Sequence, residues 1–147
     1  MGKFSKSDYK YFDLARKAAM NSTYDGFKLG SVLVYQGRVI STGHNSDKTH
    51  PMQAYYNKKY RKFHYSGTMI KHSLHSEIAC LVNIPKCIDV NIDYSRASLY
   101  IYRIAPGLRL GQGMSRPCAG CMAALRDKGI RDIYYTTDDG FAHERLF

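Results

Sequence analysis

The chain has 147 residues, 44% of them hydrophobic and 23% charged, which suits one ordinary globular domain over 1–147 with a single site. It holds no run of 18 apolar residues, and Met1-Gly2-Lys3-Phe4-Ser5-Lys6 has neither a signal-peptide core nor the Ser or Thr that a myristoylation signal wants at position 6; a cytoplasmic protein without membrane contact is expected. A net charge of +10, from 22 Lys and Arg against 12 Asp and Glu, points to an anionic partner or to plain solubility.

Ser7 is a cap for a first helix reaching about Met20, because Phe12, Ala15, Ala18 and Ala19 recur near helical spacing and Gly26 closes the stretch. Residues 30–35 and 38–42 are two β-rich runs joined at Gln36-Gly37, a hairpin signal. From about 46 to 74 the chain is polar, aromatic and basic, interrupted by Pro51 and Gly67, and reads as a long insertion with one helix inside. Residues 75–83 have helical character and Pro85 stops them; residues 97–102 are apolar or aromatic on both faces and belong in mid-sheet. A helix over 118–128, closed by Gly129, and a strand over 130–136 follow. The stretch from Ile104 to Arg116 reads as a hairpin, and Phe141 to Phe147 as a last helical turn or core packing. The alternation of helices and strands implies a mixed layered α/β sheet.

Two fragments carry chemistry. His75-Ser76-Glu77 opens one predicted helix and Pro117-Cys118-Ala119-Gly120-Cys121 opens another. The tight cysteine pair, in a chain without a secretion signal, favours metal or redox chemistry over a disulfide. One imidazole and two thiolates make the three-ligand set of a catalytic zinc, with the fourth position left for water. Glu77, two residues after the histidine, would take a proton from that water and deliver it elsewhere. Cys80 reads as a buried small residue.

His-x-Glu followed by Pro-Cys-x-x-Cys is the zinc deaminase signature, and at these residues the sequence resembles the cytidine and deoxycytidylate deaminase superfamily, from the first helix to the strand at Tyr134. The resemblance implies a three-layer α/β/α fold with a five-stranded mixed sheet. It also implies Zn2+ held by His75, Cys118 and Cys121, Glu77 as proton shuttle, and substrate contacts at Asn45, Ser76 and Pro117. Ser76 departs from the Ala common at that position. Assembly into dimers or larger homo-oligomers is implied as well.

The substrate is read from two features. Lys58, Lys59, Tyr60, Arg61 and Lys62 lie in a segment with further tyrosines and no acidic residue, a pattern that grips single-stranded nucleic acid, clamps one phosphate, or forms a solvated helix face. Arg109 and Arg116 before the cysteine motif are further candidates for phosphate or nucleic-acid contact. The second feature is resemblance: residues 118–135 look like the branch whose final strands run parallel, which includes deaminases of nucleotides and polynucleotides. The expectation is therefore hydrolytic deamination of cytosine in a CMP- or dCMP-type nucleotide. A cytosine deaminase of single-stranded DNA or RNA comes next, then a tRNA adenosine deaminase or a catalytically silent nucleic-acid-binding domain.

Overall fold

The first helix is capped two residues before the expected position. In the computed structural model, which describes residues 4–24, 26–61 and 72–147, Ser5 Oγ accepts the Asp8 N–H at 3.1 Å while the Asp8 carboxylate accepts the Ser5 N–H at 2.9 Å. Ser7 has Lys10 three residues on and no such reciprocal partner, so the capping box at Ser5 wins. Helix α1 spans Lys6–Ala19 and ends well before Gly26.

Strands β1 (Lys28–Tyr35) and β2 (Arg38–His44) form the expected hairpin. Both turn residues, Gln36 and Gly37, have positive φ, 50° and 75°, the left-handed pair that matches strand twist. One helix does lie inside the insertion: α2 (Pro51–Tyr60), with Pro51 in its first turn and the His50 ring accepting the Met52 N–H at 3.1 Å. The expectations for Lys62, and for the rest of the insertion to position 71, lie outside the described residues.

Next come α3 (Ser76–Val82), the short α4 (Lys86–Asp89) and β3 (Ser98–Ile104). A two-residue β4 (Gln112–Gly113) folds back on the end of β3, so the 104–116 stretch is a hairpin and adds a sixth strand to the five expected. Helix α5 (Ala119–Lys128) is closed by Gly129 at φ 95° and leads into β5 (Asp132–Thr136).

Two expectations about the end of the chain are corrected. Residues 141–145 form a strand, β6 (Phe141–Arg145), rather than a helical turn, because each pairs with a residue of β5. That pairing is antiparallel, so the final strands do not run parallel as the resemblance implied. A turn at Asp138-Asp139-Gly140 is too short for anything but a hairpin.

The sheet order is β2-β1-β3-β5-β6, with β4 beside β3 and only the β3–β5 pair parallel. The alternation along β1 builds three layers. Val32 and Val34 point into a cluster with Tyr11, Phe12 and Ala15 of α1, whereas Leu33 joins Ile78, Leu99, Ile101, Leu125 and Ile133 under α3 and α5. Two glycines let the layers touch. A Cβ on Gly30 would stand 2.2 Å from Ala15 O in α1, and one on Gly43 would stand 2.4 Å from Cys80 N and 2.5 Å from Ser76 O in α3. The backbone of α3 therefore lies directly on β2.

Candidate metal and catalytic site

The three predicted ligands come from two segments far apart in the chain. His75 is the N-cap of α3; Cys118 is the N-cap of α5, and Cys121 lies in its first turn. His75 Nδ1 stands 3.6 Å from Cys118 Sγ and 3.3 Å from Cys121 Sγ. All three donors lie within 4.8 Å of one another, the metal-competent group of His, Cys and acidic side chains among the described residues.

The electrostatics agree with a cation site. The Cys121 thiol and the adjacent His75 hold the Cys118 sulfur well below the usual thiol range, against the opposing effect of burial. Cys121, hydrogen-bonded to that sulfur and fully buried, is pushed up. Burial draws the His75 imidazole down, but the Cys118 sulfur and Glu77 outweigh it and the net shift is upward. In the first turn of α5 the Cys121 backbone N–H donates to the Cys118 sulfur and adds to the lowering at that sulfur.

Glu77 follows directly. It is 4% exposed, and burial pushes its carboxyl upward against the lowering effect of His75. Ser76 Oγ donates to Glu77 Oε1 at 2.7 Å and lies 2.7 Å from Ser31 Oγ on β1. The Ser76 hydroxyl is thus engaged inside the protein. Pro117, which precedes the cysteine motif, is buried.

Asn45, at the end of β2, is also committed. Its Oδ1 accepts from Leu29 N at 2.9 Å and Ser22 Oγ at 2.6 Å, and Nδ2 donates to Phe27 O at 3.1 Å. One amide N–H remains beyond these bonds, so toward a substrate Asn45 offers a donor and nothing else.

The basic residues divide. Arg61, the C-cap of α2, places Nη1 3.4 Å from His75 Nε2 and makes no ion pair with a described residue. Lys58, Lys59 and Tyr60 lie on the exposed face of α2, with Lys59 Nζ over the rings of Tyr55 and Tyr60. Arg109 pairs with Asp139 at 3.7 Å and Arg116 binds Glu144 in a two-pronged contact at 2.6 and 3.2 Å. Neither guanidinium stands without a carboxylate.

Two site residues escaped the sequence reading. Gln53 and Asn57, both 0% exposed on α2, face the metal segments. Gln53 Oε1 accepts the His75 N–H at 3.0 Å, and Gln53 Nε2 donates to Asn57 Oδ1 at 3.0 Å. Asn57 Oδ1 in turn lies where a Cβ on Gly120 would come within 3.2 Å, so α2 presses on the cysteine segment while holding the histidine. Their i, i+4 spacing was the available signal.

The cytidine and deoxycytidylate deaminase zinc-binding region matches residues 5–137. The chain belongs to this family of zinc-dependent hydrolases. The deaminase shares its fold with solved structures of low sequence identity. Cytidine deaminase from Burkholderia pseudomallei aligns at TM-score 0.59 and 14% identity, covering 97% of this chain and 94% of that one. The dCMP deaminase of cyanophage S-TIM5, solved with dCMP and dUMP, aligns at TM-score 0.54 and 18% identity over 90% and 82%. Cytidine deaminase from Mycobacterium leprae aligns at TM-score 0.50 and 17% identity over 92% and 91%. No curated protein matches the sequence closely enough to count as a relative.

The family's cofactor is zinc, and the donor set fits it. Sulfur and nitrogen bound to zinc in a tetrahedron are about 3.5 Å apart, and His75 Nδ1 has the two sulfurs at 3.6 and 3.3 Å. Among the described residues no helix is long and apolar enough to cross a membrane.

Proposed function

We propose that this deaminase converts cytosine to uracil in a (deoxy)cytidine mononucleotide, with His75, Cys118 and Cys121 holding the zinc and Glu77 carrying the proton. The convergence of one imidazole and two sulfurs beside a buried carboxylate carries this reading. When bound, zinc supplies a water acidified to near neutral pH. Glu77 would take a proton of that water, and its carboxyl, pushed upward by burial, suits it to hold the proton and pass it on. That proton would go to the ring nitrogen beside the reacting carbon as a C–O bond forms at the carbon, and the second water proton, carried by the same carboxyl, would go to the amine, so that the C–N bond breaks, the carbonyl closes and ammonia leaves. Asn45 contributes an N–H donor to the sugar or base, while Ser76 and Pro117 shape the wall through their backbone.

The preference for a phosphorylated substrate rests on Arg61, a guanidinium beside His75 with no described carboxylate partner. It no longer rests on the branch resemblance, because β5 and β6 are antiparallel. One observation favours polynucleotides as a second reading: Tyr55 and Tyr60 are 54% and 42% exposed with Lys59 between their rings, an arrangement suited to stacking bases beside a phosphate. A reducing, cytoplasmic setting accords with thiolates used as ligands and four free cysteines, and self-association of the chain is part of the proposal.

Ammonia release from zinc-quantified protein, offered dCMP, CMP, cytidine, single-stranded DNA and single-stranded RNA, tests it. Turnover of mononucleotides, lost in Glu77→Gln with zinc retained, is expected. Turnover confined to polymers would transfer the assignment to the second reading, and turnover confined to cytidine would remove the role given to Arg61.

A further inference from the structure

Ser31 has no place in the deaminase signature, yet its hydroxyl lies one step from the proposed proton carrier. It sits on β1 opposite Gly43 of β2 and Ile101 of β3, on the face that α3 covers. Because Gly43 has no side chain, the first turn of α3 descends onto the sheet and sets Ser76 Oγ 2.7 Å from Ser31 Oγ. Both serines are 0% exposed.

Each hydroxyl has one proton, and this fixes the direction of the chain. Ser76 Oγ spends its proton on Glu77 Oε1 at 2.7 Å, so toward Ser31 it can only accept. Ser31 therefore donates to Ser76, and Ser76 to the carboxylate. We propose that Ser31 is a positioning residue of the deamination reaction, holding Glu77 through the Ser76 hydroxyl. The proposal rests on Glu77 being the proton carrier.

A purely structural demand does not call for this pair. Replacing both partners of a buried hydrogen bond by apolar groups of similar shape is nearly neutral for stability, and the neighbours of Ser31 on this face, such as Leu33 and Ile101, form an apolar core. What the hydroxyls add is a charge-assisted bond that anchors one carboxylate oxygen. With Oε1 pinned, Oε2 is left to carry the proton. A carboxylate that rotated would lose the alignment on which proton transfer depends.

The test measures kcat and KM on the substrate that the panel above identifies, in Ser31→Ala, Glu77→Gln and the double variant. Outer residues of metal sites affect activity by about 10- to 100-fold, so Ser31→Ala should lower kcat by that factor with KM and zinc content retained. In the Glu77→Gln background the same change should leave the residual rate unaltered, as expected of residues acting as one unit. Ser41→Ala, which removes a buried hydroxyl bonded to Cys80 O of α3 instead, should leave kcat unchanged.

Should Ser31→Ala fail to fold, or the residual rate prove too slow to read, Ser31→Thr and Ser31→Val decide, since they share a shape and differ in the hydroxyl. Thr is expected to exceed Val about tenfold or more in kcat. The Glu77 carboxyl infrared band, assigned by its loss in Glu77→Gln, should shift in Ser31→Val and not in Ser41→Ala. Equal kcat for Thr and Val, a proportional loss in both Glu77 backgrounds, or an unmoved carboxyl band would overturn the proposal. Full activity of Glu77→Gln alone would instead overturn the role of Glu77.

Discussion

The backbone N–H of His75 donates to Oε1 of Gln53 at 3.0 Å, joining a helix inside the 46–74 insertion to the residue proposed to supply the metal's nitrogen. Gln53→Leu removes that acceptor and the donor to Asn57 in one step. A buried N–H left without a partner costs about 1–3 kcal/mol, and loss of such outer support weakens metal binding about 10- to 100-fold. Zinc transfer to a chromophoric chelator should therefore be faster from Gln53→Leu than from the wild type. Equal transfer would mean that α2 does not tune the site.

Gly43→Ala forces a methyl to within 2.4 Å of the α3 backbone. Helix and strand must separate, at a cost of about 1–3 kcal/mol or more. A lower thermal midpoint together with reduced zinc content is expected, because the displaced helix carries His75 at its cap. Gly107→Ala, where an added Cβ meets nothing within 4 Å, serves as the control.

Cys121→Ser should abolish stoichiometric zinc binding and lower stability, since metal bound only to the folded state stabilises it by mass action, by about 4 kcal/mol at a thousandfold excess over Kd. Calorimetry of wild-type protein before and after chelation should show the same displacement, and Cys121→Ser should no longer respond to chelator.

Glu144 supplies a pH-dependent prediction. The Arg116 guanidinium, and after it the Tyr135 hydroxyl, hold its carboxyl below the ordinary value of 4.5. Its folded value is the lower one, so the contact contributes its full stability above the ordinary value and loses it as pH falls through the depressed one. The contact is partly exposed and contributes about 0.2–1 kcal/mol. Unfolding free energies of wild type and Arg116→Ala from urea titrations should thus differ by that amount at pH 7 and converge as the pH falls through the depressed folded value.

The convergence of His75, Cys118 and Cys121 was legible in the sequence because it depends on short spacings that the chain states outright. The presence of one helix inside the insertion, though not its bounds, and the central placement of β3 were legible for similar local reasons. Gln53 and Asn57 were not: in a polar, basic stretch two amides look like surface, and only the packing of α2 against His75 and Gly120 buries them. The β6 strand was hidden because Phe141, His143 and Arg145 alternate with Ala142 and Glu144 without a clean apolar face, and its identity comes from pairing with β5. The direction of that pair, which depends on a four-residue connection, undid the branch resemblance. Ser31 looked like any strand residue until Gly43 was seen to bring α3 down onto it.

His75 precedes its two sulfur partners by 43 and 46 residues, and β3 and β4 lie between them. Loop closure on that scale comes after local hairpins and helices have formed. A chain emerging from synthesis can complete the β1–β2 hairpin and the inserted helix with none of the three donors yet gathered. Ion capture then acts as a latch on an assembled sheet rather than as a seed for it, and the moment of zinc uptake marks the point at which the two halves of the molecule have met.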